Sequence, residues 1–178
     1  MLIIRPLTAS DDFYAVAQIY TDSWKTAYQG LVPQRYLDKL RPESWIGLLK
    51  ADPQANLVAL LDDQVIGTAF VSYARDEARE SFGELVGLYL LPAFTGMGYG
   101  RQLWQAAVEH CRQQGLSGLC LWVFSGNDHA CRFYERMGML ASGRVKTEAI
   151  GGELLPLTEY ILWLDASSPT IKQGVERP

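Results

Sequence analysis

The sequence predicts a mixed α/β fold: a central, mostly antiparallel sheet with helices on both faces. Three observations predict it. Strand-like and helix-like runs follow one another as strand, helices, three strands, helix, strand, helix, two strands. Consecutive hairpins dominate the first half, which argues against a doubly wound parallel sheet. In the stretch Leu85 to Leu103, an apolar strand passes through Pro92 and the alternate glycines Gly96, Gly98 and Gly100 directly into an amphipathic helix.

Leu2 to Leu7 reads as a short first strand. Thr8 to Asp11 resembles a capping box, with Asp in place of the usual Glu. After it, Phe13, Val16, Ala17, Tyr20, Trp24, Ala27 and Tyr28 fall on one helical face, and Gly30 stops the helix. Pro33 suits the first turn of a second helix carrying Tyr36, Leu37 and Leu40. Pro42 to Ala51 is a third, with Trp45, Leu48 and Leu49 inward. Asn56 to Leu61 and Val65 to Tyr73 form a hairpin about Asp62-Asp63-Gln64. Ala74 to Ser81 is a charged loop. Phe82 to Leu91 is apolar enough to be a strand buried on both faces. Tyr99, Leu103, Ala107 and Cys111 recur every four residues in a helix from Gly98 to Gln114. Leu119 to Phe124 is a strand, and Asn127 caps a helix that ends at Gly138. Strands near Leu140–Ala149 and Leu154–Leu164 meet at Gly151-Gly152.

The chain has 178 residues, 48% of them hydrophobic, which fits one buried core better than two. Residues 1–165 are expected to form the domain, and the polar residues 166–178 a disordered tail. A net charge of −4 without basic clusters argues against nucleic acid. No apolar run approaches the ~20 residues of a membrane span. Cys111, Cys120 and Cys131 lack metal-ligand spacing, so no metal is expected. Buried thiols in a reducing compartment are the reading they favour, and a cytoplasmic location is expected.

The glycine loop suits a phosphate. Glycine lets the backbone come close to a ligand, and a helix start presents unpaired N–H groups and the positive end of a dipole. A P-loop is excluded because Arg101-Gln102 follows Gly100 where Lys-Ser/Thr is required. A dinucleotide fingerprint is excluded because the glycines alternate. On the loop alone, a turn without any ligand stays open.

A second segment, Leu121 to Met139, carries a strand, a turn, an Asn-capped helix and a glycine stop. Together the two segments resemble the GNAT superfamily of acyl-CoA-dependent N-acetyltransferases. Gly98 and Gly100 match that family's pyrophosphate loop. Asn127, Ala130, Phe133, Tyr134 and Gly138 match its following Asn-x-x-Ala-x-x-Phe-Tyr-x-x-x-Gly helix. The resemblance covers about Ile3 to Leu164, and Trp24 to Pro33 looks like a segment common among bacterial members. Thr95 stands where the family usually has Gln or Arg, and Met97 where a basic residue is frequent. Weaker diphosphate binding follows, although the Thr95 hydroxyl can bond a phosphate oxygen and Arg101 restores one charge.

The resemblance implies an acetyl-CoA-dependent acyltransferase acting on a primary amine, with acetyl-CoA as acetyl donor. The diphosphate would rest on Thr95, Gly96, Met97, Gly98, Tyr99, Gly100 and Arg101. The pantetheine arm would pair with an opened strand at Leu88, Tyr89 and Leu90, where a backbone N–H also faces the thioester oxygen. Asn127 and Ala130 complete the cofactor side, and Asn127 is explained equally by capping alone. Tyr134 is the expected acid for the leaving sulfur. Glu84 is the expected base, through water; an exposed position near a strand start is the alternative. Trp24 and Tyr28 are expected to border the acceptor, with core packing as the alternative. His110 and His129 read as surface residues.

Since no cysteine or serine is placed as a covalent nucleophile, direct attack in a ternary complex is expected. The acceptor is a small-molecule amine or peptide N-terminus, and the acidic composition points to cationic acceptors such as polyamines. Two other readings stay open. One is a non-catalytic acyl-CoA-binding sensor or regulatory module. The other is an interaction domain using the hairpin Lys146 to Trp163, whose apolar Ile161 to Leu164 points to a homodimer.

Overall fold

Two tight hairpins and one crossover lay out the sheet. The computed structural model describes residues 1–164, so the tail expected at 166–178 lies outside the described residues. β2 (Asn56–Leu61) and β3 (Gln64–Tyr73) are joined by Asp62 and Asp63 at φ 49° and 66°, the left-handed geometry of a type I′ turn. β6 (Leu140–Ile150) and β7 (Glu153–Trp163) close the same way through Gly151-Gly152. β1 (Leu2–Pro6), β4 (Phe82–Leu90) and β5 (Gly118–Phe124) complete seven strands in the order β1-β2-β3-β4-β5-β7-β6. Every neighbouring pair is antiparallel except β4 and β5, which are linked through a helix.

Helices cover both faces, as the periodicity predicts. α1 (Phe13–Ala27) and α3 (Glu43–Ala51) bury Val16, Ala17, Tyr20 and Leu49 against Leu7 and Val58. A single-turn α2 (Gln34–Leu37) lies between them in sequence. On the opposite face, α4 (Tyr99–Gln113) buries Leu103, Ala107 and Cys111 against Leu57, Ala69, Leu85 and Leu119. α5 (Asp128–Arg136) packs Phe133 and Tyr134 against the same cluster.

The feature that positions the site is a fork. β4 and β5 pair only at Phe82–Gly118, Gly83–Leu119 and Glu84–Cys120. Beyond Glu84 they separate. On the other edge of β4, Leu85 pairs with Val71 and Gly87 with Phe70, leaving Val86 as an extra residue. Such a bulge bends its strand and raises its twist, which turns β4 away from β5.

Three expectations need correction. β4 is not buried throughout: Val86 is 37% exposed and Leu88 to Leu90 are half-buried, because the fork removes their neighbour. The α1 cap is Asp12, whose carboxylate accepts from the N–H groups of Tyr14 and Ala15. Asp11 instead binds the Arg5 guanidinium at 2.6 and 2.8 Å, and that bond holds its carboxyl well below the usual range. On α3, Ile46 packs inward and Leu48 is exposed, since position 48 falls between the buried ridges. Within the last hairpin, β7 lies inside the sheet. It is paired on one side with β5 and on the other with β6, which explains its apolar run without a partner chain. The edge is β6, which carries Lys146 and a break in register between Ala141 and Val145, devices that discourage strand addition.

Candidate active site

At the end of β4 a 3-10 turn at Pro92–Phe94 leads into the glycine loop. Gly96 and Gly98 hold φ at 75° and 85°, a region that costs an L-residue roughly 1–2 kcal/mol. The first helical bond runs from the Gln102 N–H to the Gly98 carbonyl. The amides of Tyr99, Gly100 and Arg101 therefore have no partner within the helix, and no side chain caps them. Space beside Gly96 and Gly98 is open, with no heavy atom within 4 Å of where a Cβ would stand. At Gly100 the geometry is different: a Cβ would lie 3.3 Å from Leu90 and 3.7 Å from Phe133. That glycine seats the helix start against both the opened strand and α5. The result is a row of free donors beside open space at a positive helix end, suited to a diphosphate.

The Thr95 hydroxyl donates to the Pro92 carbonyl at 2.8 Å within its own turn. Met97 is 63% exposed and Arg101 is exposed at the loop rim.

Past the fork, Leu88, Tyr89 and Leu90 pair only with Ala69, Thr68 and Gly67 of β3. Their strand has no ladder partner on the β5 side among the described residues. An extended ligand arm can hydrogen-bond there as a substitute strand. Asn127 accepts from the Ala130 N–H at 3.2 Å, so the cap at the start of α5 is made. Tyr134 is half-buried on α5. Burial, then the neighbouring Tyr89 and Cys131, raises its phenol well above the ordinary value, so it stays protonated through neutral pH.

On the face opposite α4, aromatic rings form a wall. Tyr28 meets Trp24 edge-on at 4.8 Å and Phe124 at 4.9 Å, and the Trp24 indole donates to the Tyr89 hydroxyl at 3.0 Å. Burial first, and then Tyr89, raises the Tyr28 phenol, with Tyr134 adding to it. Trp24 and Tyr28 thus sit beside the opened strand and also pack the core.

Glu84 occupies the closed end of the fork. It is 5% exposed, which removes the exposed-surface alternative. Its carboxylate is clasped by Arg75, with Nη2 to Oε1 at 2.6 Å and Nε to Oε2 at 3.2 Å. Sequence reasoning missed Arg75, Trp122 and Lys146, which line a groove with Asp76 and Glu84. It also missed the Tyr89 hydroxyl as a partner of Trp24. No local pattern marks these contacts, since they join residues far apart in the chain. His129 is exposed on the first turn of α5 and His110 lies on α4, away from the fork.

Comparison with known proteins agrees with this geometry. The model of the Acetyltransferase (GNAT) family matches residues 13–139. The chain is 29% identical over 119 residues to the uncharacterized N-acetyltransferase YuaI of Bacillus subtilis, covering 66% of this chain and 69% of that one. It is 33% identical over 110 residues to the mycothiol acetyltransferase of Streptomyces avermitilis, covering 62% of this chain. It spans only 33% of that relative's length. Among solved structures, yncA of Salmonella typhimurium with its cofactor acetyl-CoA superposes with a TM-score of 0.72 at 20% identity. That likeness covers 94% of this chain and 96% of the other, and it concerns the fold. With the strand fork, the uncapped glycine loop and the Asn-capped helix all in place, the chain belongs to the GNAT family of acetyltransferases.

Proposed function

We propose that this acetyltransferase moves the acetyl group of acetyl-CoA to the primary amine of a small molecule or peptide by direct attack in a ternary complex. The observation that carries the reading is the fork. It opens one edge of β4 beside a row of unpartnered loop amides, so one extended ligand can hold its diphosphate at Gly96–Arg101 and its arm along Leu88–Leu90.

Residue roles follow from position. Loop amides bind the diphosphate, and a β4 amide past the bulge faces the thioester oxygen and stabilises the charge that develops there. The neutral amine nitrogen forms a bond to the carbonyl carbon, and the carbon–sulfur bond breaks. Tyr134 donates a hydrogen bond and then its proton to the departing sulfur, and regains a proton from solvent. The amine's proton leaves through water toward Glu84. Arg75 fixes that carboxylate in place, so Glu84 can orient the water and balance the charge that develops on nitrogen. Trp24 and Tyr28 border the acceptor.

A second reading, an acyl-CoA sensor without turnover, draws support from Thr95, whose hydroxyl is bound within its own turn. A screen of primary amines with acetyl-CoA, following release of free thiol, separates the two. Amine-dependent thiol release is the expected result. Cofactor binding with no turnover across a broad amine panel would favour the sensor.

A further inference from the structure

Resting on the acetyltransferase reading, we infer that the acceptor is an amine that also carries a carboxylate, held by Lys146 over the face of Trp122. A groove of about 350 Å³ is lined by Arg75, Asp76, Glu84, Trp122 and Lys146. It begins at the closed end of the fork, where Glu84 pairs with Cys120. Trp122 is two residues beyond Cys120 on β5, and Phe124, which meets the Tyr28 ring at 4.9 Å, is two further, so alternation places Cys120, Trp122 and Phe124 on one face of the strand.

Among the charged side chains that line the groove, Lys146 alone makes no ion pair among the described residues. Arg75 is matched by Glu84, with Glu148 also acting on its charge. Arg79 and Arg144 share the buried Glu159, and Arg144 also reaches Asp76. Lys146 is half-buried, yet no carboxylate oxygen lies within 4.0 Å of its ammonium among the described residues. Its ammonium lies over the Trp122 ring, 4.6 Å from Nζ to the centroid. A cation–π contact positions an ammonium without neutralising it, so the group still seeks an anion. Arg75 is 69% exposed, and its Nη1 makes no hydrogen bond among the described residues, which offers a second donor to the same anion.

The arrangement therefore sorts acceptors by sign. An amine at the fork meets Glu84, and a carboxylate on the same molecule meets Lys146. A polyamine would bring a second positive charge to the uncompensated ammonium. The local charge thus reverses the expectation of a polycationic acceptor drawn from the acidic composition. A charge-assisted hydrogen bond of this kind corresponds to roughly 10- to 100-fold in affinity.

The test pairs L-amino acids with their primary amides, and adds spermidine, in both thiol-release kinetics and calorimetry with saturating CoA. Amino acids are expected to outperform their amides by at least about tenfold in KM and in binding. Lys146→Gln should erase that difference through KM while leaving kcat and the acetyl-CoA KM within about twofold, and Lys146→Arg should restore it. Equal use of acids and amides, a preference for spermidine, or no binding of any amino acid would overturn the inference. Binding that needs the carboxylate and Lys146, without turnover of any amine, would uphold it and count against the acetyltransferase activity instead.

Discussion

Gly98 carries a left-handed conformation that is costly for most residues with a Cβ, with φ at 85° just where the helix amides become free. A Cβ there meets open space, so the penalty of Gly98→Ala is backbone strain and not a clash. Relaxing that strain would turn the amides away from the diphosphate. Gly98→Ala should lower acetyl-CoA affinity by roughly tenfold and stability by about 1–2 kcal/mol, read by calorimetry and by urea unfolding. Tyr134 gives a second residue-scale prediction. Burial leads the effects that keep its phenol protonated, so it should remain a donor beyond pH 10, the ordinary tyrosine value. The rate should then rise with pH as the acceptor amine loses its proton, with no alkaline fall from Tyr134 below about pH 10. Tyr134→Phe should reduce kcat by roughly 100- to 10,000-fold while leaving the acetyl-CoA dissociation constant nearly unchanged. A fall in affinity with kcat preserved would assign Tyr134 to binding.

At the scale of elements, β7 is held to its neighbours by a buried carboxylate. Glu159 is fully buried and is bound by Arg79 from the β3–β4 loop and by Ser142 and Arg144 from β6. Burial alone would raise its carboxyl, but the hydrogen bonds from Arg79 and Ser142 outweigh this and hold it below the usual value. A depressed folded value means that this contribution is complete above the unfolded carboxylate value, about pH 4.3, and fades as pH falls through the folded one. Glu159→Gln strands two arginines and should cost about 3 kcal/mol near neutral pH. The variant should also lose stability less steeply than the parent on acidification, as followed by denaturant melts. Local elements such as these were readable in advance when their signal lay within one segment. Asn127, the alternate glycines, Gly138 and both hairpin turns announce themselves over four to eight residues. The Val86 bulge, the fork it opens and the Glu84–Arg75 clasp depend on which strands become neighbours, and no periodicity records that. Leu48 misled because an apolar residue at a helix flank looks inward until the packing ridge is known.

The whole molecule reads as two halves that meet at a parting. β1 to β4 form an antiparallel half, β5 to β7 another, and three parallel pairs join them. α4 and α5 cover one face and bring the loop amides and Tyr134 to the opening. α1 and α3 cover the other and bring Trp24 and Tyr28. Donor and acceptor can therefore approach from opposite faces and meet only at the fork, which suits direct transfer. The composition indicated one core, and the order of strand-like and helix-like runs indicated the mixed sheet. The central claim is that the loop amides from Gly96 to Arg101 hold the diphosphate. Calorimetry comparing acetyl-CoA with S-acetylpantetheine, which keeps the arm and thioester but lacks the diphosphate, tests it most directly. Acetyl-CoA should bind at least roughly 100-fold more tightly, the difference of about 2.7 kcal/mol expected of several charge-assisted bonds. Equal affinities, or no binding of acetyl-CoA to folded protein at millimolar concentration, would contradict it.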